Sequence, residues 1–300
     1  MQLERMGRAQ ARVRQGPDHR DGEQVTFLDV KQYFGLGHVR VGRWVSSSES
    51  LIAANMVFDA LADLALVLGL PPKALGLREK LNLAFGHGGQ QGVMAHYSPC
   101  ERTLALAKHA GAGALAHEFW HAFDHYIGDV AMDVGSVMGR GKSSRFASEL
   151  WLQDVPLLCH PLNDRLDALF QCVLLSLDGE QPSDYVRRAI QLDKSFGRLY
   201  FSHPSELMAR AFEAAIETHA LFEDVDLQSG EISLKRLINP YLVTGTQDLT
   251  AANGATSRQW GAMPTGAFPK PSHRDAIMGH IQQYFGLLGK ALEKYQQGET

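Results

Sequence analysis

The sequence predicts an α+β protein, predominantly helical, with a small sheet placed before a helix that carries His117-Glu118-Phe119-Trp120-His121. Two observations lead there. Long Ala- and Leu-rich segments recur through the chain with helical apolar spacing, and short β-type runs broken by glycine gather only between residues 81 and 108.

The first long helix is expected over Ser50–Leu70, mostly buried, and stopped by Gly69 and Pro71-Pro72. Leu81–Phe85, Gly92–Tyr97 and Thr103–Lys108 follow as strands of a small sheet, with the turn-forming run Gly86-His87-Gly88-Gly89 between the first two. Gly111-Ala112-Gly113 opens a helix over Ala114–Ile127 that contains no internal glycine or proline. Gly128–Ser144 reads as a long loop, and loops of that length beside a motif are commonly functional. Helices are then expected over Arg145–Leu152, Pro161–Leu177, Ser183–Phe196 and Pro204–Ala220. Asn239–Pro271 turns to Gly, Pro, Thr and Asn before a last amphipathic helix over Arg274–Tyr295.

Composition narrows the classes. Of the 300 residues, 45% are hydrophobic, enough for a buried core, and one domain over residues 25–300 is expected. The net charge of −4 gives no global reason to expect nucleic acid or an anionic membrane as partner. Residues 1–24 form a polar arm, expected to be disordered. Its Arg5, Arg8, Arg12 and Arg14 are a conceivable nucleic-acid contact, but Asp18, Asp21 and Glu23 nearly cancel them. The arm lacks the apolar stretch of a secretory signal, and no later run reaches the roughly 18 uninterrupted apolar residues of a membrane span. Three widely spaced cysteines, Cys100, Cys159 and Cys172, read as reduced thiols. Together these lead to an expected cytoplasmic location.

The chemistry centres on His117 and His121. At i and i+4 on a helix both imidazoles leave from one face, the spacing that grips one metal ion. One Zn²⁺ held by two neutral imidazoles and a third ligand keeps a fourth position for water, and Glu118, adjacent but not ligating, is the expected catalytic base. His125 continues the series, but eight helical steps separate it from His117 by about 12 Å. Asp124 stands where the glycine of the metzincin turn would be, so the third ligand is sought downstream. Glu206, in the first turn after Pro204, is the best candidate, the arrangement of a gluzincin. Glu213, seven residues on, is the alternative ligand or a hydrogen-bond partner of a ligand histidine. Asp124 is a further candidate for that partner role, and Tyr126, His203 and Tyr241 for stabilising an oxyanion.

These residues resemble the large polyvalent protein-associated domain family, first type, whose stand-alone bacterial relatives are labelled chloride-channel-accessory-like (CLCA_X) proteins. The resemblance covers Phe34-Gly35 with Gly42-Arg43-Trp44, Asp59–Ala74, Leu83–Gly86, Ala95-His96-Tyr97 and Gly111–Gly128. It resumes at Ser202–Glu213 with the Glu-x-x-Ala-Arg-Ala-Phe-Glu pattern from Glu206, and fades towards the C-terminus. Phe119-Trp120 replaces the family's Trp-Gly, and its tyrosine-proline and glutamate-arginine pattern survives only as Phe268-Pro269 and His273-Arg274. The resemblance implies a zincin-like metallopeptidase fold in a group associated with bacteria, phages and mobile elements, acting on a peptide or protein. The competing expectation is a non-catalytic protein- or DNA-interaction module with a vestigial or structural metal site.

Overall fold

The computed structural model describes residues 13–86, 95–107, 113–137, 145–225, 230–246, 264 and 266–298. Helix α1 (Phe27–Tyr33) and helix α2 (Ser47–Leu68) flank a short strand β1 (Val39–Val41), and both helices start on capping boxes, Thr26 with Asp29 and Ser46 with Glu49. After α2 come β2 (Asn82–Phe85), β3 (Ala95–Ser98) and β4 (Thr103–Leu106). The four strands make one sheet in the order β1-β2-β4-β3, parallel except for β3, which runs antiparallel at the edge. Mixed α and β structure with a small sheet ahead of the motif helix is therefore present, and β1 and α1 are additions to what the sequence suggested.

The motif helix α3 (Leu115–Val130) packs against β3, β4 and the helices that follow: α5 (Ala147–Trp151), α8 (Pro204–His219) and, through Phe123, α9 (Pro271–Gln297). Between them stand α4 (Val134–Val137), α6 (Pro161–Leu174) and α7 (Asp184–Phe196). Trp120 is fully buried, its ring tilted against Phe212 on α8 at 4.9 Å and Phe123 at 5.4 Å, so the bulky residue fills the seam beneath the motif.

The expected loop over Gly128–Ser144 is corrected in its first part. Helix α3 runs through Gly128 to Val130 because this glycine is a packing position and not a stop: a Cβ there would meet the Arg145 carbonyl at 2.2 Å. Residues 138–144 lie outside the described set, as do 87–94 and 247–263. The start of α3 has no side-chain cap; instead Ala116 N–H donates to Leu242 O at 3.0 Å, and Gly113, at φ +104°, lets Thr244 approach where a Cβ would stand 2.5 Å away. The aperiodic stretch after Asn239 thus begins as a clasp over the motif helix. Glu217 of α8 holds it, accepting from the backbone of Gly245 and Thr246 and from the Thr246 hydroxyl, while buried Arg274 donates to Thr246 O at 2.6 Å. A two-stranded hairpin, β5 (Leu221–Val225) with β6 (Ile232–Arg236), precedes this clasp and has no counterpart in the sequence reading.

The polar arm is also corrected where it is described. Residues 13–24 are fastened to the body because Asp63 of α2 is completely buried and needs partners: it accepts from Arg14 at 2.7 and 2.8 Å, His19 at 2.8 Å and Asn239 at 2.8 Å. Arg20 pairs with Asp59 at 2.8 Å, and Gln15 bridges Ile238. Arg14 is therefore spent on a carboxylate; Arg5, Arg8 and Arg12 lie outside the described residues. Helix α2 is long and apolar enough to cross a membrane by length and composition, with mean hydropathy 2.0, but 61% of that stretch is buried inside the protein around this charged cluster.

Burial pushes the Asp63 pKa up, but hydrogen bonds from His19, Arg14 and Asn239 outweigh it and leave it below the ordinary value. Its stabilisation is thus present at neutral pH and lost as acid takes the pH down through the folded-state value. Asp63→Ala, which strands a half-buried guanidinium and a buried amide, is expected to cost about 3 kcal/mol of stability in urea denaturation. A loss near zero would mean that the N-terminal segment is not integral to the fold.

Candidate metal centre

His117 and His121 project from one face of α3, and Glu206 and Glu213 from one face of α8, seven residues apart. His117 reaches both glutamates and His121 reaches only Glu206, the pairing of helices that run in opposite directions. The two imidazole Nε2 atoms are 3.1 Å apart, His121 Nε2 lies 3.4 Å from Glu206 Oε1, and His117 Nε2 lies 3.6 Å from Glu206 Oε2. All three residues present ligand atoms within 4.8 Å of one another.

Those distances provide the test of fit. Ligand atoms bound at about 2.0–2.1 Å to one tetrahedral ion stand roughly 3.3–3.4 Å from each other; the Nε2–Nε2 and His121 Nε2–Glu206 Oε1 separations match that spacing to within roughly 0.3 Å, while the approach of Glu206 to His117 is made by its other oxygen, Oε2. The chemistry of the set, two imidazoles and one carboxylate, also suits zinc. Glu213 lies elsewhere: its Oε1 is 2.9 Å from His117 Nδ1, the nitrogen facing away from Glu206. It fixes that ring, while Glu206 shares the ligand side.

The remaining expected residues divide. Glu118 is buried beside His117, whose protonated form it favours electrostatically. Asp124 does not bond a ligand imidazole. It accepts from Ser148 N–H at 2.9 Å and Ser148 Oγ at 2.6 Å, tying α3 to the start of α5; burial, opposed by those bonds and by His121, lifts its pKa to about 6. His203 sits at the N-cap of α8, with Nδ1 3.0 Å from Ser205 Oγ and 3.5 Å from Glu149 Oε1. Tyr241 has a buried hydroxyl with no hydrogen-bond partner among the described residues, and Tyr126 stacks under Lys80; neither is brought into contact with the two histidines. His125 bonds the Tyr97 hydroxyl through Nδ1 at 2.8 Å, away from the site, as the helical rise requires.

Three residues that the sequence left unassigned complete the surroundings. Phe146 packs against the His121 ring at 5.8 Å. Arg210 donates to Glu206 Oε2 at 2.6 Å, and its guanidinium lies 4.7 Å from the Tyr200 ring centre. Tyr200 feels the site: burial, Glu206 and Glu118 all push its phenol pKa up. Burial pushes the Glu206 pKa up too, but His121, His117 and Arg210 outweigh it and bring it to about 2, so this carboxylate is ionised at neutral pH.

His117 shows the opposite balance. Burial lowers its pKa, yet Glu213, with help from Glu118 and Glu206, raises it to about 9. Since metal binds only the neutral ring, zinc uptake at pH 8 is expected to displace a proton from His117, and this release fades as the pH rises past 9. Glu213→Gln lowers the His117 pKa, so it shrinks the proton release at pH 8. It should weaken zinc about 10–100-fold at pH 9 and less at pH 7, where easier deprotonation offsets the lost partner. Calorimetry in buffers of different ionisation enthalpy measures both; equal release by the two proteins would refute the Glu213–His117 coupling.

The arrangement defines an α+β protein with a two-histidine, one-carboxylate cluster suited to a single divalent ion. Residues 192–292 of the chain match the family model of large polyvalent protein-associated domain 1. The match includes Glu206, Arg210 and Glu213 and continues through most of α9, where the sequence resemblance fades; the His117–His121 motif lies outside it. No curated protein and no solved structure matches the chain.

Proposed function

We propose that this protein is a zinc-dependent hydrolase of peptide bonds, of zincin-like fold, with His117, His121 and Glu206 as the ligands and Glu118 as the general base. The observation that carries the reading is the convergence of Glu206, from a separate helix and 85 residues beyond His121, on the two Nε2 atoms at 3.4 and 3.6 Å. A lone surface histidine pair has no need of a half-buried carboxylate there. When bound, a zinc ion supplies a water of lowered pKa and polarises a substrate carbonyl. Glu118, buried beside His117, would hold the proton of the attacking water and return it to the departing nitrogen. Glu213 keeps the His117 ring in the tautomer that offers Nε2.

Purified protein is expected to hold one zinc per chain and to cleave members of an unbiased peptide library, with activity lost to a chelator and restored by zinc. Metal-free protein that takes up no zinc would end the proposal; zinc uptake without cleavage of any peptide would confine it to a metal-binding module.

A further inference from the structure

Arg210 has no part in that reaction, yet its placement is costly. Its side chain is fully buried, a setting in which an arginine persists only with a committed partner. The partner is Glu206, one helical turn back, through Nη2 to Oε2 at 2.6 Å. Nη1 reaches Phe201 O at 3.4 Å, and the Tyr200 and Phe201 rings lie 4.7 and 4.9 Å from the guanidinium carbon, holding its plane. Glu206 Oε1, the other oxygen, is the atom nearer to His121 Nε2.

We infer that Arg210 is a positioning residue that reserves Oε2 and so makes Glu206 a one-oxygen ligand, an inference that rests on the metal-site reading above. A carboxylate free at both oxygens can close on an ion with both and occupy the position that a water needs. A charge-assisted hydrogen bond on Oε2 opposes that closure and fixes the carboxylate plane. The planar fork and its two aromatic neighbours matter here: a lysine retains the charge but not the directed bond. Arg210 also supplies one buried cation to Glu206, beside a pair of histidines on which Glu118 and Glu213 act as well.

The test uses the full chain loaded with zinc or cobalt(II). X-ray absorption of the wild-type zinc protein is expected to place the Glu206 carboxyl carbon at the longer distance of one-oxygen ligation. Arg210→Met, verified as folded by circular dichroism, is expected to bind zinc about 10–100-fold more weakly and, with cobalt, to lose visible absorption intensity as the coordination number rises. Arg210→Lys falls between the two. A carbon at the short two-oxygen distance in the wild type overturns the assignment whether or not any variant folds. So does a folded Arg210→Met protein with the wild-type cobalt spectrum. Wild-type protein that binds neither ion overturns the metal-site reading itself, an outcome separate from both.

Discussion

His117→Ala and Glu206→Ala proteins are each expected to lose the stoichiometric zinc binding proposed for the wild type, by more than the about 10–100-fold that loss of an outer hydrogen-bond partner costs. Removing either leaves two donors, and in Glu206→Ala the neighbouring carboxylates are occupied: Glu213 on α8 is held at His117 Nδ1, and Asp124 on α3 is engaged by Ser148. His125→Ala is the internal control and retains the ion, because its ring bonds Tyr97 and sits more than two helical turns from His117. Zinc per chain after dialysis against a weak chelator measures all three, with circular dichroism as the check on folding. If Glu213→Ala emptied the site while Glu206→Ala kept it full, the third ligand would be Glu213. Equal retention in every variant would mean that the histidines hold nothing.

The contrast between Glu206 and Glu213 shows what was legible before the structure. Seven residues apart on one helix, they share a face; the place of Glu206 in the first turn after Pro204 favours it as ligand, but spacing keeps Glu213 open as ligand or supporting partner. What separates them is the relative direction of α3 and α8, a tertiary fact with no local signal. The His117–His121 pair was legible because i and i+4 are fixed by helix geometry. Arg210 was visible as part of the Glu-x-x-Ala-Arg pattern but carried no assignment, since a glutamate and arginine four apart usually mark an exposed helix face, and nothing in the sequence said that this face is buried.

Long periodic helices were likewise readable: α2, α6, α7 and α8 lie within a few residues of their expected bounds. The misreadings have a common cause. Gly128 reads as the start of a loop because glycine signals a stop locally, whereas in the folded chain it is a place where two backbones meet closely, against Arg145, and α3 runs on to Val130. The aperiodic stretch over Asn239–Thr246 does stay outside helix and strand; what its composition leaves unsaid is that Thr244 packs onto Gly113. The N-terminal arginines read locally as a solvated run, yet Arg14 and Arg20 answer the buried or half-buried Asp63 and Asp59 about 40 to 50 positions away. Pairings at that separation leave no trace in the periodicity of either segment.

Glu118→Gln is expected to keep the zinc and lose the chemistry. The substitution is nearly isosteric at a buried position, so the packing of α3 and the directions of the His117 and His121 rings should persist, and bound zinc should stay stoichiometric. The amide cannot take a proton from water or return one to the leaving nitrogen. Loss of a general base of this kind lowers turnover about 10²–10⁴-fold, or about 3–5 kcal/mol of barrier. The measurement compares kcat for a peptide cleaved by the wild type at matched zinc occupancy. Glu213→Gln provides the discriminating contrast: it changes zinc affinity and its pH dependence, and a zinc-saturated sample recovers most of the rate, whereas added zinc does nothing for Glu118→Gln. Turnover of Glu118→Gln at the wild-type rate would remove this carboxylate from the reaction and leave the two histidines and Glu206 as a metal site without a base, since the other carboxylates described around the histidines are each held by a partner: Glu206 by Arg210, Glu213 by His117 and Asp124 by Ser148.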